Sequence, residues 1–238
     1  KLSVEYYITP SVGYRQLYKN NDFEPAGGLL QRTAENNNYL SQQAALNFEA
    51  GVAMLFKLNK KINVSAGLQL NYTNYITYAH HLQHPTQTTV LMNDPHNGNL
   101  MPMPYNSIYG NVLGSNTSRL NNNTYQISMP IGLQYKLAGN DKVKWQMAAS
   151  VQPSYIMSGN TYLISANNKN FVIDQSMLRN WNVSTSIESF VSFKTPGDLL
   201  LNVGPQFRYQ ILSTYSNQYS YTEKLYNVGL KLGITKKL

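Results

Sequence analysis

The 238-residue chain has no cysteine and only 11 acidic side chains against 19 basic ones. No run of apolar residues approaches the ~18 that a transmembrane helix requires. Lack of cysteine excludes a disulfide framework and any thiolate metal site. The excess of +8 raises the question of nucleic acid. Its lysines, however, gather at short turns: Lys60 and Lys61, Lys142 and Lys144, Lys194, Lys236 and Lys237. No basic surface interleaved with aromatics accompanies them, so no nucleic-acid partner is expected. Cationic turns facing anionic lipid headgroups account for the charge more simply.

What the chain does have is alternation. Leu46, Phe48, Ala50, Val52, Met54, Phe56 and Leu58 share one phase, and Asn47, Glu49, Gly51, Ala53 and Lys57 the other. A period of two means β-strand, because successive side chains leave a strand on opposite faces. Eight such segments are expected, at 2–18, 44–58, 62–77, 124–137, 142–157, 180–194, 199–212 and about 225–234. The gaps between them alternate between long polar loops (to about 43, 79–123, 158–179 and 213–224) and tight turns at 59–61, 138–141 and 195–198. Long alternating strands in even number, with tight turns at one end and long loops at the other, predict an all-β, eight-stranded antiparallel up-and-down transmembrane β-barrel. One barrel domain accounts for residues 1–238.

The 19 tyrosines fit this reading, since an apolar ring with a polar hydroxyl favours a membrane–water interface. Followed along each strand, Tyr14, Tyr72, Tyr125, Tyr155, Trp181, Tyr209 and Tyr226 fall at the loop end, and Phe56, Tyr135, Trp145 and Phe193 at the turn end. These form two expected aromatic girdles. Tyr125 to Tyr135 and Trp145 to Tyr155 each span ten residues, which at a tilt near 40° separates the girdles by roughly 25 Å, the height of an outer-membrane apolar band. Placing the tight turns in the periplasm puts both termini there. Pro10, Pro153 and Pro205 lie within strands on the outward phase, where a missing N–H predicts local bulges or a weakened ladder.

The strand rhythm, the Tyr- and Asn-rich loops and the ending Asn227-Val228-Gly229-Leu230-Lys231-Leu232-Gly233-Ile234 resemble the small eight-stranded outer-membrane barrels of the Bacteroidota, of the PorT-like type. These barrels have the architecture of OmpA and OmpX. The ending is similar to a barrel assembly signal. The resemblance implies the outer membrane of a Gram-negative bacterium, contact with its lipid including lipopolysaccharide, and for some members a role in secretion or envelope organisation.

The inward phase carries Glu5, Arg15, Glu49, Lys57, Lys136, Lys144, Glu188, Arg208 and Lys231. A barrel of eight strands is just wide enough for side chains to fill, and an unpaired charge there costs several kcal/mol (about 3–5). A salt-bridged plug centred on Glu49, Glu188, Arg208 and Lys231 is therefore expected, with a gated conduction path as the alternative. His80, His81 and His84, with His96 in reach, are the candidate Zn or Cu ligands. With no cysteine and one nearby carboxylate, Asp94, a solvated polar loop is the expectation, with no metal and no cofactor. A rim enzyme acting on lipid or peptide needs paired acids or an acid–histidine pair. Asp22, Glu24, Glu35, Asp94, Asp174 and Glu223 read as loop residues without such pairing, and no catalytic residue is assigned. Asn-x-Ser/Thr triplets at Asn63, Asn71, Asn116, Asn122 and Asn182 read as chance in an Asn-rich chain.

The expected function is structural or interaction-based, through the long loops or the periplasmic N-terminus. Segments such as Leu100-Met101-Pro102-Met103-Pro104 and Tyr105-Asn106-Ser107-Ile108-Tyr109 would form an adaptable surface for a protein partner. Lys1, with no initiator methionine or leader, admits two readings: the first residue after a cleaved signal peptide, or the start of the barrel portion of a longer polypeptide.

Overall fold

A computed structural model describes residues 2–19, 42–43, 45–94, 96, 99–111, 116–197 and 199–238. Asp22, Glu24 and Glu35 lie outside the described residues. The strands are β1 (Leu2–Lys19), β2 (Gln42–Gln43), β3 (Ala45–Lys57), β4 (Ile62–Asn93), β5 (Leu100–Gly110), β6 (Asn116–Ser128) and β7 (Ile131–Gly139). They continue with β8 (Val143–Asn160), β9 (Tyr162–Ile164), β10 (Asn170–Ile173), β11 (Trp181–Lys194), β12 (Leu199–Gln210) and β13 (Tyr221–Lys237). Antiparallel pairing runs β3-β1-β13-β12-β11-β8, then through β6 and β7 to β4, and β4 pairs β3 again. The ring closes, with β6 and β7 acting as one staggered strand, which makes eight. A closed ring leaves no edge unpaired, as lipid demands.

The two phases separate along every strand of the ring. Tyr6, Ile8, Val12, Leu46, Phe48, Met54, Leu133, Val151, Ile187, Phe207 and Leu230 are exposed, and Glu5, Thr9, Asn47, Glu49, Gln126, Gln152, Ser184, Gln206 and Arg208 are buried. This inverts the pattern of a water-soluble sheet. The apolar face points out because its solvent is hydrocarbon, and the polar face points in because hydrogen bonds are available only there.

Each tight turn carries the chemistry that shapes it. The Asn59 Oδ1 accepts from the N–H groups of Lys61 and Ile62, both at 2.8 Å. Asn140 repeats the device with Lys142 and Val143, both at 2.9 Å, next to Gly139 at φ +108°. In the third turn the Thr195 N–H bonds Leu199 O at 2.9 Å and Gly197 takes φ +82°. Such side-chain caps are what Asn does best at a turn.

One expectation narrows and two change. First, Pro10 and Pro205 cause no bulge: β1–β13 and β11–β12 pairing skips two positions at each and resumes in the same register. The ladder is weakened without being shifted. Second, the single strand expected over 124–137 is broken at Met129-Pro130. Met129 N–H donates to Pro153 O at 3.0 Å, but Pro153 has no N–H to return, and Pro130 has none either. Two prolines meeting across one ladder open it, although Pro130 O still accepts from Gly67 N–H at 3.0 Å. Within the ring the register shifts lie elsewhere, at Tyr125/Gln126 and Lys136/Ala138, and a third falls beyond it, between His81 and Thr86. Third, residues 79–123 are not a plain loop. β4 runs on to Asn93, paired with β6 as far as His81 and with β5 at His80 and His81 and, after a shift of register, again from Thr86. β5 then pairs β10, and β10 pairs β9.

Candidate functional site

Across the lumen, polar side chains from non-adjacent strands bond one another. Arg208 Nη1 on β12 donates to Glu49 Oε1 on β3 at 3.1 Å, and Glu49 Oε2 accepts from Gln206 at 2.9 Å and Gln69 at 3.1 Å. Nearer the turn end, Lys231 Nζ reaches Glu188 at 2.9 Å and Glu5 at 3.7 Å, lies 4.2 Å from the Tyr7 ring centroid, and Tyr7 donates to Gln69 at 2.7 Å. The four expected charges thus sit in two clusters, Glu49–Arg208 and Glu188–Lys231, and Glu5 joins the second. A small cavity among Thr73, Tyr75, Arg208 and Asn227 measures about 10 Å³, the size of one water.

A third pair sits higher. Arg15 Nε meets Glu223 at 2.8 Å, and the Arg15 guanidinium also donates to the Tyr215 hydroxyl. Glu223 therefore belongs to β13 and the interior, not to a loop as its sequence position suggests. Only the pairing of β13 with β1 brings it opposite Arg15, with Leu17↔Glu223 and Arg15↔Leu225 in register.

Above this pair the long connections pack on each other. Val90, Met92, Leu163, Val172, Tyr215 and Tyr219 form a buried apolar cluster, and Ala79, Leu120, Ile164 and Phe171 form another, both touching Leu17 of β1. Tyr219 ties it down, donating to Ile164 O at 3.2 Å and accepting from Ile164 N–H at 2.7 Å, and Met92↔Tyr219 and Leu178↔Tyr215 bridge the segments. Tyr105 donates to Asp174 Oδ2 at 2.7 Å, and Asp174 caps the short 3₁₀ turn Gln175–Met177. Burial, the bond to Asp174 and its negative charge push the Tyr105 phenol up to about 12. Burial raises Tyr215 to about 12 as well, despite the opposing field of Arg15. The barrel mouth is roofed by a cap with its own core. Its outer side leaves Met101, Met103, Ile108 and Ile173 exposed.

The histidines lie on this cap. Because β4 continues through them, His80 and His81 leave on opposite sides, and His81 packs edge-on against Tyr109 at 5.6 Å. Among the described residues no three His, Cys, Asp or Glu side chains converge as a metal site. One acid–histidine pair does exist, contrary to expectation: His96 Nδ1, on an exposed ring, lies 3.3 Å from Asp94 Oδ1, two residues away in sequence.

Register assembles the loop-end aromatics into a band: Tyr14 faces Tyr226, Tyr209 faces Tyr226, Tyr72 faces Tyr125 and Trp181 faces Tyr155. Ring centroids lie 5.5 Å apart for Tyr14–Tyr226, 5.1 Å for Tyr72–Tyr125 and 5.2 Å for Tyr155–Trp181. At the turn end Phe56, Tyr135, Trp145 and Phe193 are exposed, and Trp145 Nε1 donates to Ser189 at 3.0 Å.

A closed eight-stranded ring, apolar outside, polar and interlocked inside, and banded by aromatics, is a transmembrane β-barrel. Residues 11–209 match the family described as outer membrane protein beta-barrel domain, and the chain belongs to that family. Its setting is the outer membrane. Similar solved structures include the outer membrane protein OprG from Pseudomonas aeruginosa, at 8% identity and TM-score 0.46, covering 100% of this chain and 96% of that one. Neisserial surface protein A is similar at 8% identity and TM-score 0.37, covering 95% and 96%. Ail, the attachment invasion locus protein of Yersinia pestis, follows at 7% identity and TM-score 0.28, covering 96% and 97%, and has also been solved with the heparin analogue sucrose octasulfate. No curated protein sequence matches the chain.

Proposed function

We propose that this barrel is a non-catalytic outer-membrane anchor whose working surface is the structured cap at the loop end. The observation that carries the reading is the cap itself: the connections between strands fold into paired β-structure over their own apolar core, which a bare anchor does not need. The exposed Met101, Met103 and Ile108 on β5, with Ile173 on β10, give that surface an apolar, deformable character suited to a protein partner. With the tight turns in the periplasm, as in other barrels of this kind, both termini lie there and the cap faces outward, among lipopolysaccharide. Placement among PorT-like barrels of the Bacteroidota, with a role in secretion or envelope organisation, is part of the same proposal and rests on the strand rhythm and the ending 227–234.

The interlocked lumen supports a closed barrel over the channel alternative. Planar-bilayer recordings of the purified protein are expected to show no stable ohmic step. A reproducible large conductance altered by Glu188→Gln or Lys231→Met would replace this reading with the channel. For the surface, Met101→Asp with Met103→Asp is expected to abolish partner co-purification from native outer membranes while leaving the barrel folded. Undiminished association would place the working surface elsewhere.

A further inference from the structure

The turn-end mouth of the barrel opens into a cavity of about 470 Å³, within the size range of small-molecule sites. Six lysines line it: Lys57 on β3, Lys60 and Lys61 in the following turn, Lys136 on β7, Lys144 on β8 and Lys237 on β13. Among the lining residues one acidic side chain opposes them, Asp141. Among the described residues none of the six forms an ion pair, whereas the charged side chains deeper in the lumen, Glu5, Glu49, Glu188, Arg208 and Lys231, all do. Pairing is therefore complete inside the barrel and absent at this mouth.

The cavity ends in a floor. Gln146 donates to Ser192 at 2.6 Å, Asn202 donates to Glu5 at 2.7 Å, and the buried Phe190 lines the cavity with them. Glu5 and Glu188 stand behind that floor, so an anion drawn in by the lysines meets negative charge if it goes further. A concave wall of one sign focuses the field and concentrates counter-ions. Lysines supply point charges with three donors each, without the planar fork by which arginine selects a single carboxylate. The strand phase makes the arrangement specific: Lys136, Lys144 and Lys237 are on the inward phase, while Lys142 and Lys236 lie outside the cavity.

We infer that this vestibule is a dead-end binding site for a small, multivalent, phosphate-bearing anion. The shared chemistry is the phosphate group, which a free molecule or a lipid headgroup could bring. The site is recessed within the ring of strands, out of line with the lipid-facing surface, and that favours the free molecule.

Calorimetric titration of the full chain in phosphatidylcholine nanodiscs with sodium tripolyphosphate tests the inference. Saturable binding of one anion per barrel is expected, weakening with salt as screening requires. Lys136→Gln with Lys144→Gln is expected to weaken it by about tenfold, given the modest worth of each exposed pair. Lys60→Gln with Lys61→Gln, confined to a turn and safe for the strands, is expected to do the same. Lys142→Gln with Lys236→Gln removes equal charge outside the cavity and is expected to leave binding unchanged. Equal loss in that control, or no saturation in the wild type, overturns the inference. So does loss of tripolyphosphate binding when the nanodiscs contain phosphatidylglycerol, which assigns the lysines to headgroups.

Discussion

Arg208 and Glu49 show what a single residue does in this lumen. Both are almost wholly buried, so removing one partner leaves a buried charge without its counter-ion. Arg208→Met is expected to destabilise the barrel by about 3–5 kcal/mol, read as a lowered urea midpoint in detergent, and adding Glu49→Gln should restore most of the loss. A different signature belongs to the cap phenols. Tyr105 and Tyr215 hold their protons up to about pH 12, whereas tyrosine in an unfolded chain ionises near 10. Their contribution to cap stability is complete below about pH 10 and is lost as pH rises through about 12. Near-ultraviolet circular dichroism should therefore report loosening of the cap across that window, and Tyr105→Phe should make the loss smaller. Identities such as Glu49 and Lys231 were readable from phase alone, because an inward charge in a narrow barrel must find a partner. Glu5 follows from the same phase, but which cluster it joins, and that Glu223 pairs at all, depends on which strands meet across the ring.

At the scale of strands and turns, Gly139 and Gly197 make a useful contrast. A Cβ on Gly139 would lie 2.2 Å from Val143 O at a φ of +108°, while a Cβ on Gly197 at +82° meets nothing within 4 Å. Gly139→Ala is expected to cost about 1–3 kcal/mol in backbone strain, with the clash in addition, and Gly197→Ala about 1 kcal/mol. Denaturation midpoints of the two variants should rank in that order. The alternation located all eight members of the ring, with β6 and β7 read as one unbroken strand, because lipid outside and polar contacts inside impose one period on all of them. It missed β5 and the outer half of β4, where Thr88, Val90 and Met92 do alternate but over a short stretch followed by Pro95, Pro102 and Pro104. Prolines read as loop. In this fold Pro102 and Pro104 sit on a β5 segment paired on one side by β4, where a missing N–H denies an invading strand its ladder. The break at Pro130 is illegible for another reason: it arises from Pro153, which faces the adjacent Met129 at a register no local window contains.

For the molecule as a whole, the closed sheet predicts heat-modifiable migration: the folded barrel in detergent should run ahead of the boiled chain on a gel, and a variant lacking 85–115 should keep that shift while losing the roof. Loss of the shift would mean that the cap is needed to hold the ring together. The pairing of β1 with β13, the first strand with the last, carries a further consequence. Until β13 arrives, β1 presents one bonded side and one bare side, so closure cannot precede synthesis of β13. Once shut, the ring has no privileged starting point. Leu238 N–H bonds Leu2 O at 3.1 Å, so the two ends of the sheet lie side by side. A circular permutant that joins them through a short linker and opens the chain between Lys60 and Lys61 should therefore assemble into the same ring, with the order of strand synthesis changed and the order of strand neighbours kept.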